Sequence, residues 1–186
     1  MCIRDSINTA EYFNDRFEEN SDYYESPWKN LTNYSDKFQL SIFDKGSILD
    51  YGCGDGKHLE LYSSKTKFET AGVDISNVVI KKNKDKYKNS KFYLKENMLM
   101  EKLKYNHVVS THTIEHTDHP IKEIQNLMSI AENTLTIIVP YKNSWHQTEE
   151  HLWFFDKHSF DSLNPSLVRT GTVSYTHLTL PTKRIV

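Results

Sequence analysis

The chain has 186 residues, with 23 Lys and Arg against 25 Asp and Glu, a formal net charge of −2. One domain fits this length, and the mildly acidic balance excludes the broad basic footprint of a nucleic-acid binder. No apolar run approaches the length of a bilayer span. Residues 7–46 read as helices rich in aromatics and charge, interrupted at Pro27 and closed at Gly46. Phe13 with Phe17, and Tyr34 with Phe38, are spaced to share a helix face, either packed on a sheet or closing over a ligand as a lid. An apolar run at 47–51 predicts the first strand, and apolar residues at 59, 61 and 62 predict an amphipathic helix after a glycine turn. Residues 68–75 read as the second strand and 78–88 as a helix whose lysines form a solvated face. Residues 91–95 and 105–110 are the third and fourth strands. A helix over 120–131 and a β-branched fifth strand over 134–139 complete the alternation. Strands separated by helices predict an α/β fold with a parallel, doubly wound sheet.

The two ends carry a different message. Met1-Cys-Ile-Arg-Asp5 can be written ATG TGT ATA AGA GAC, whose reverse complement encodes Val-Ser-Tyr-Thr-His, the residues at 173–177. Residues 1–6 and 172–186 are therefore expected to be translated sequencing-adaptor tails. The remainder is expected to be a fragment: an N-terminal helical lid at 7–46 and a core at 47–171, truncated after strand five. Residues 173–180 alternate β-favouring residues and are expected to form a strand at the vacant sheet edge. Removing the tails takes the charge from −2 to −4. Cys53 becomes the one remaining cysteine, which suits a cytoplasmic location.

Chemistry concentrates in four segments. In Ser47-Ile-Leu-Asp-Tyr-Gly-Cys-Gly-Asp-Gly56 a strand ends in Asp50 and glycine recurs at 52, 54 and 56, a turn that admits a ligand to the backbone. The dinucleotide fingerprint fails at Lys57, and a P-loop fails at His58. A strand–helix turn without a ligand is the bland alternative. Asp74 ends the second strand about 20 residues on, where an acid can accept both ribose hydroxyls; it could instead cap the next helix, a role open to Ser76. Lys95-Glu-Asn-Met98 follows the third strand. Val108-Val-Ser-Thr-His-Thr-Ile-Glu-His-Thr-Asp-His-Pro120 follows the fourth, and its His112-x-x-Glu115-His116 formally matches an inverted zinc-protease motif. That motif needs one continuous helix, whereas here a strand enters it and Pro120 closes it, so no metal is expected. A last cluster, 139–156, is rich in Trp, His and Glu, either packing the loop or touching substrate.

The pattern Asp-x-Gly-x-Gly-x-Gly at 50–56, with Asp74, resembles motifs of class I S-adenosylmethionine (SAM) dependent methyltransferases. The resemblance spans about residues 48–161. It implies a Rossmann-like methyltransferase sheet with SAM as cofactor, and methyl transfer to an acceptor oxygen, nitrogen or carbon. It places Gly52, Cys53 and Gly54 at the methionine moiety, with Asp50 orienting the turn and the amino group. Asp74 and Ile75 fall at the ribose, Asn97 and Met98 at the adenine edge, and Thr111 beside the methionine part. Glu115 and His116 would line the substrate side, and His151 matches a histidine before an aromatic-rich turn. His116 and His151 are the expected catalytic residues, although His112 and His146 could also serve as a base near neutral pH. A small metabolite, sugar or lipid precursor is the expected acceptor, with no nucleic acid and no membrane as partner. The alternatives are a SAM-binding module without catalysis and a nicotinamide-dependent oxidoreductase, disfavoured by Lys57.

Overall fold

The computed structural model describes residues 8–19, 46–65, 69–98, 103–140, 150–165, 167–170 and 175–181. Most of the expected lid (20–45), all of the expected N-terminal tail and residues 172–174 and 182–186 of the C-terminal one lie outside them. So do residues 141–149, which hold His146. The chain forms two compact units, residues 9–103 and residues 104–186 with the first eight.

The first unit opens with helix α1 (Ala10–Glu19). Strand β1 (Ser47–Tyr51), helix α2 (Lys57–Lys65) and strand β2 (Glu69–Asp74) follow. Helix α3 (Asn77–Lys86), strand β3 (Ser90–Leu94) and the single turn α4 (Lys95–Met98) complete it. The strands run parallel in the order β3-β2-β1, with Leu49 opposite Ala71 and Gly72 opposite Phe92. Four of five residues of β1 and five of six of β2 are buried without alternation, the pattern of a parallel sheet covered on both faces. This burial explains why the strands read as continuous apolar runs.

Helix α1 is the described part of the expected lid. Phe17 is buried and Phe13 half-buried, with Tyr12 edge-on to Phe13 at 5.3 Å. Helix α1 packs on α3: Lys82 Nζ donates to the Phe17 carbonyl at 2.7 Å, and Ser76 Oγ donates to Asn14 Oδ1 at 2.7 Å. Ser76 is the N-cap of α3, its hydroxyl accepting from the Val79 amide. The lysine face is as expected: Lys81, Lys82, Lys84, Lys86 and Lys88 are all exposed.

The second unit pairs strand β4 (Tyr105–Thr111) in parallel with strand β5 (Ala131–Pro140), joined through helix α5 (Pro120–Ile130). Val108, Val109, Leu135, Ile137 and Val139 are wholly buried. Helix α5 contributes Ile124 and Leu127, three residues apart on one face. Two antiparallel strands lie beyond β5: β7 (Tyr175–Pro181) pairs with β5, and β6 (Leu167–Thr170) pairs with β7. This hairpin joins residues from the expected core to residues of the expected C-terminal tail. Among the described residues no helix is long and apolar enough to cross a membrane.

Candidate functional site

The turn between β1 and α2 carries the candidate site of the first unit. Its glycines all take left-handed backbone angles, φ 77° at Gly52, 48° at Gly54 and 77° at Gly56. The amides of Gly52 and Cys53 both donate to the Val73 carbonyl, at 2.8 and 2.9 Å. The Gly54 amide donates to Asp74 Oδ2 at 3.0 Å, and the Gly56 amide to the Cys53 carbonyl at 3.0 Å. Four N–H groups that could have cradled a phosphate therefore bind the protein itself, so the turn does not present a pyrophosphate nest. The Cys53 side chain is buried, and a β-carbon added to Gly72 would lie 2.7 Å from its sulfur. Burial, with the Asp74 and Asp50 charges, pushes the Cys53 thiol well above its usual range. Cys53 is thus a small residue packed inside the turn, not a nucleophile.

Two carboxylates stand under this turn. Asp50 is 1% exposed, and neither of its oxygens accepts a hydrogen bond among the described residues. Its nearest countercharge is His58 Nδ1, 3.5 Å from Oδ2. Burial works against a charged His58, but the Asp50 carboxylate outweighs it and raises the imidazole above its ordinary value. Asp74 holds the turn through Oδ2 and the Ser76 amide through Oδ1, at 2.9 Å. Burial raises the Asp74 carboxyl to about 6, against the Ser76 and Gly54 hydrogen bonds that lower it. Ile75 beside it is half-buried, as is Asn97 on α4, while Met98 is buried and Glu96 exposed. Asp74, Ile75, Asn97 and Met98 follow the C-terminal ends of parallel strands, where ligands of such sheets bind.

Asp74 yields a pH prediction. In the ligand-free protein the raised carboxyl favours the neutral form, a stabilisation present below about pH 4 and lost as pH rises towards 6. A ribose pair needs the ionised form as acceptor. Affinity for S-adenosylhomocysteine (SAH), the demethylated form of the expected cofactor, should therefore fall roughly fivefold from pH 6 to pH 5 and level off above pH 7. Titration calorimetry across that range checks this, and a flat profile would remove Asp74 from the ligand contacts.

The second unit carries the residues expected on the acceptor side. Half-buried Thr111 ends β4, and its carbonyl accepts from the Thr113 hydroxyl. His112 follows in the left-handed region, φ 53°, a conformation unfavourable for a residue with a β-carbon. Its amide donates to the Ile138 carbonyl at 2.9 Å. The next segment is one 3-10 turn, Ile114–His116, rather than the continuous helix a zinc-protease motif requires. Glu115 is wholly buried, with His112 Nδ1 3.2 Å from Oε1. Burial opposes its charge, but His112 and then His116 outweigh it and hold the carboxyl below its ordinary value.

A strap at 150–153 lies along this turn. Leu152 N–H donates to the Glu115 carbonyl at 2.9 Å, and Trp153 Nε1–H to the Thr117 carbonyl at 2.7 Å. His116 Nδ1 is 3.0 Å from the Glu150 carbonyl. A carbonyl only accepts, so Nδ1 donates there, and in the neutral imidazole the lone pair lies on Nε2. Asn8 Nδ2 donates to the carbonyls of both His116 and Glu150. The rings of His116 and His151 meet edge-on at 4.9 Å. Burial lowers the His151 imidazole, against the opposing Glu115 charge. Possible ligand atoms of Glu115, His116 and His151 lie within 4.8 Å of one another, so these three could hold a cation. The structure thus brings together His116 and His151, 35 positions apart. Contacts that sequence reasoning missed are the Glu150 carbonyl, His58 beside Asp50 and the α3 residues behind the turn.

The family described as "Methyltransferase domain" matches residues 28–166. No curated protein sequence matches significantly. Among solved structures, the plantazolicin methyltransferase BpumL with a monoazolic desmethylPZN analog and SAH is similar. It is 17% identical with a TM-score of 0.72, over 96% of this chain and 95% of that one. The magnesium protoporphyrin IX methyltransferase ChlM from Synechocystis PCC 6803, with bound SAH, is 16% identical with a TM-score of 0.69. That match covers 91% of this chain and 96% of the other. The DhpI–SAH complex is 13% identical with a TM-score of 0.69, over 95% and 97% of the two chains.

Proposed function

We propose that the chain, which belongs to the methyltransferase-domain family, is a SAM-dependent methyltransferase whose acceptor is a small molecule. The observation that carries the cofactor half is the pairing of the inward-bonded glycine turn with Asp74 and Asp50. Asp74 retains lone pairs for two ribose hydroxyls beside the two amides it already accepts. Asp50 offers a buried carboxylate complementary to the ammonium of a methionine moiety. Gly52 and Gly54, with the Cys53 backbone between them, admit that moiety. Ile75, Asn97 and Met98 hold the ribose and adenine end, and Thr111 the methionine part. The inward-bonded amides weigh against a nicotinamide dinucleotide, whose pyrophosphate would want them.

When bound, SAM supplies a methyl group already activated as a sulfonium. The protein's task is then alignment and removal of the acceptor proton. His116 and His151 are the catalytic residues of this reading. The Glu150 carbonyl leaves His116 Nε2 as an acceptor of that proton, and the ionised Glu115 favours the imidazolium that results. A small acceptor suits the mildly acidic chain, and the similar proteins BpumL and ChlM are named for small-molecule acceptors. A cytoplasmic location belongs to the same reading.

Radiolabelled methyl transfer from SAM to a panel of hydroxyl and amine metabolites tests this. Transfer should be detected, and His116→Ala should slow it by about 10²-fold or more. Transfer to none of them, with SAM bound normally, would favour a binding module. Glu115 already has His112 as its charge partner, so activity should survive chelator treatment. Activity that vanishes with EDTA and returns with a divalent ion would instead assign Glu115, His116 and His151 to a metal.

A further inference from the structure

Helix α3 contacts the glycine turn through Asn83, and the Tyr87 ring at its C-terminal cap does the same. Asn83 is 2% exposed in a helix whose neighbouring residues 81, 82, 84, 85 and 86 are all exposed. Its Nδ2 donates to the Gly54 carbonyl at 2.7 Å and lies 3.9 Å from Cys53 Sγ. Four residues on, the Tyr87 ring lies over Gly56, where an added β-carbon would be 2.6 Å from Cε2. Asn83 and Tyr87 are one helical turn apart and so reach the same side.

The geometry at Gly54 is closed from both directions. Its N–H belongs to the 53–54 peptide and is held by Asp74 Oδ2. Its carbonyl belongs to the 54–55 peptide and is held by Asn83. Fixing both planes fixes the backbone angles at the α-carbon between them, which sits at φ 48°. Glycine reaches several regions with little preference, so something must select this one. Asp74 alone would leave the second plane held only by the long contact of the Cys53 thiol, 3.9 Å from the Gly54 carbonyl.

We propose that Asn83 is a positioning residue for cofactor binding: it selects the backbone conformation of Gly54 and so aligns the turn with Asp74. This rests on the methyltransferase reading above, since it takes the turn as the methionine-side cradle. Asn83 touches no cofactor in this account; it acts through Gly54. Its side chain is also the one uncharged amide in a run of lysines, with the length to reach the turn and an N–H to give.

Asn83→Leu keeps the branching at Cγ and removes the donor at a somewhat larger volume, and Asn83→Asp keeps the shape and replaces the donor with an acceptor. Three quantities are measured in the 186-residue chain: SAH affinity by calorimetry from pH 5 to 8, melting temperature, and hydrogen exchange of the Gly54 amide by NMR. Both variants should bind SAH about tenfold more weakly than wild type at pH 8. The pH midpoint of binding should move up from about 6, because a loosened Gly54 amide no longer favours the Asp74 carboxylate. A purely packing role would lower the melting temperature without moving that midpoint. The Gly54 amide should exchange faster in both variants with or without SAH, so this arm still decides if wild type binds no SAH and the methyltransferase reading fails. Wild-type affinity and midpoint, or unchanged Gly54 exchange, overturns the proposal. If Asn83→Leu does not fold, the same outcomes are read from Asn83→Asp.

Discussion

Asp74→Ala is expected to weaken SAH binding by about 1.5–3 kcal/mol, the worth of hydrogen bonds to a charged group, or roughly 10- to 150-fold in Kd. Asp74 does two things at once. It holds the Gly54 and Ser76 amides, so the substitution leaves two buried N–H groups without their acceptor. It is also the acid at the end of β2 that faces the ribose in the proposed complex. Asp74→Asn separates the two: its amide oxygen can still accept one backbone N–H, but it carries no charge. The asparagine variant should therefore bind more tightly than the alanine variant and lose the pH dependence around 6. Affinity within twofold of wild type in Asp74→Ala would place the ribose elsewhere.

Gly56→Ala should destabilise the fold by about 2–5 kcal/mol. A residue with a β-carbon at φ 77° costs roughly 1–2 kcal/mol, and overpacking adds typically 1–3 kcal/mol. The β-carbon would lie 2.6 Å from the Tyr87 ring, which would have to move. A double variant with Tyr87→Ala separates the two costs. Against a Tyr87→Ala background, Gly56→Ala should cost only the backbone portion. Denaturant melts of the four proteins measure this, and an equal cost in both backgrounds would mean that the ring yields freely.

The alternation of strand and helix was legible because burial on both faces turns each strand into an apolar run. The second strand, read as 68–75, forms as Glu69–Asp74, and the third, read as 91–95, forms as Ser90–Leu94. Strand β5 begins three residues earlier than its β-branched run suggests, because Ala131 pairs with Tyr105. Asp50, Asp74 and the glycines were legible by spacing. Their reasons were only partly so: Gly56 was read as room for a ligand, and the structure shows Tyr87 filling that side. Asn83 was hidden in a lysine-rich run, since a polar residue there reads as solvated until its partner across 29 positions is known. The tautomer of His116 depends on a backbone carbonyl 34 residues away, and a carbonyl leaves no mark in a residue pattern. His112 was read as a candidate base beyond the fourth strand, and its left-handed backbone appears only once Ile138 and Glu115 are in place. The aromatics at 23–43 and His146 lie outside the described residues.

The central claim is that the glycine turn with Asp50 and Asp74 is a SAM cradle and not a dinucleotide site. Calorimetric titration of the 186-residue chain with SAH and, separately, with NAD at pH 8 tests it most directly. SAH should bind with one site per chain, and NAD should give no measurable heat of binding. NAD binding more tightly than SAH, or no SAH binding at all, would contradict the account.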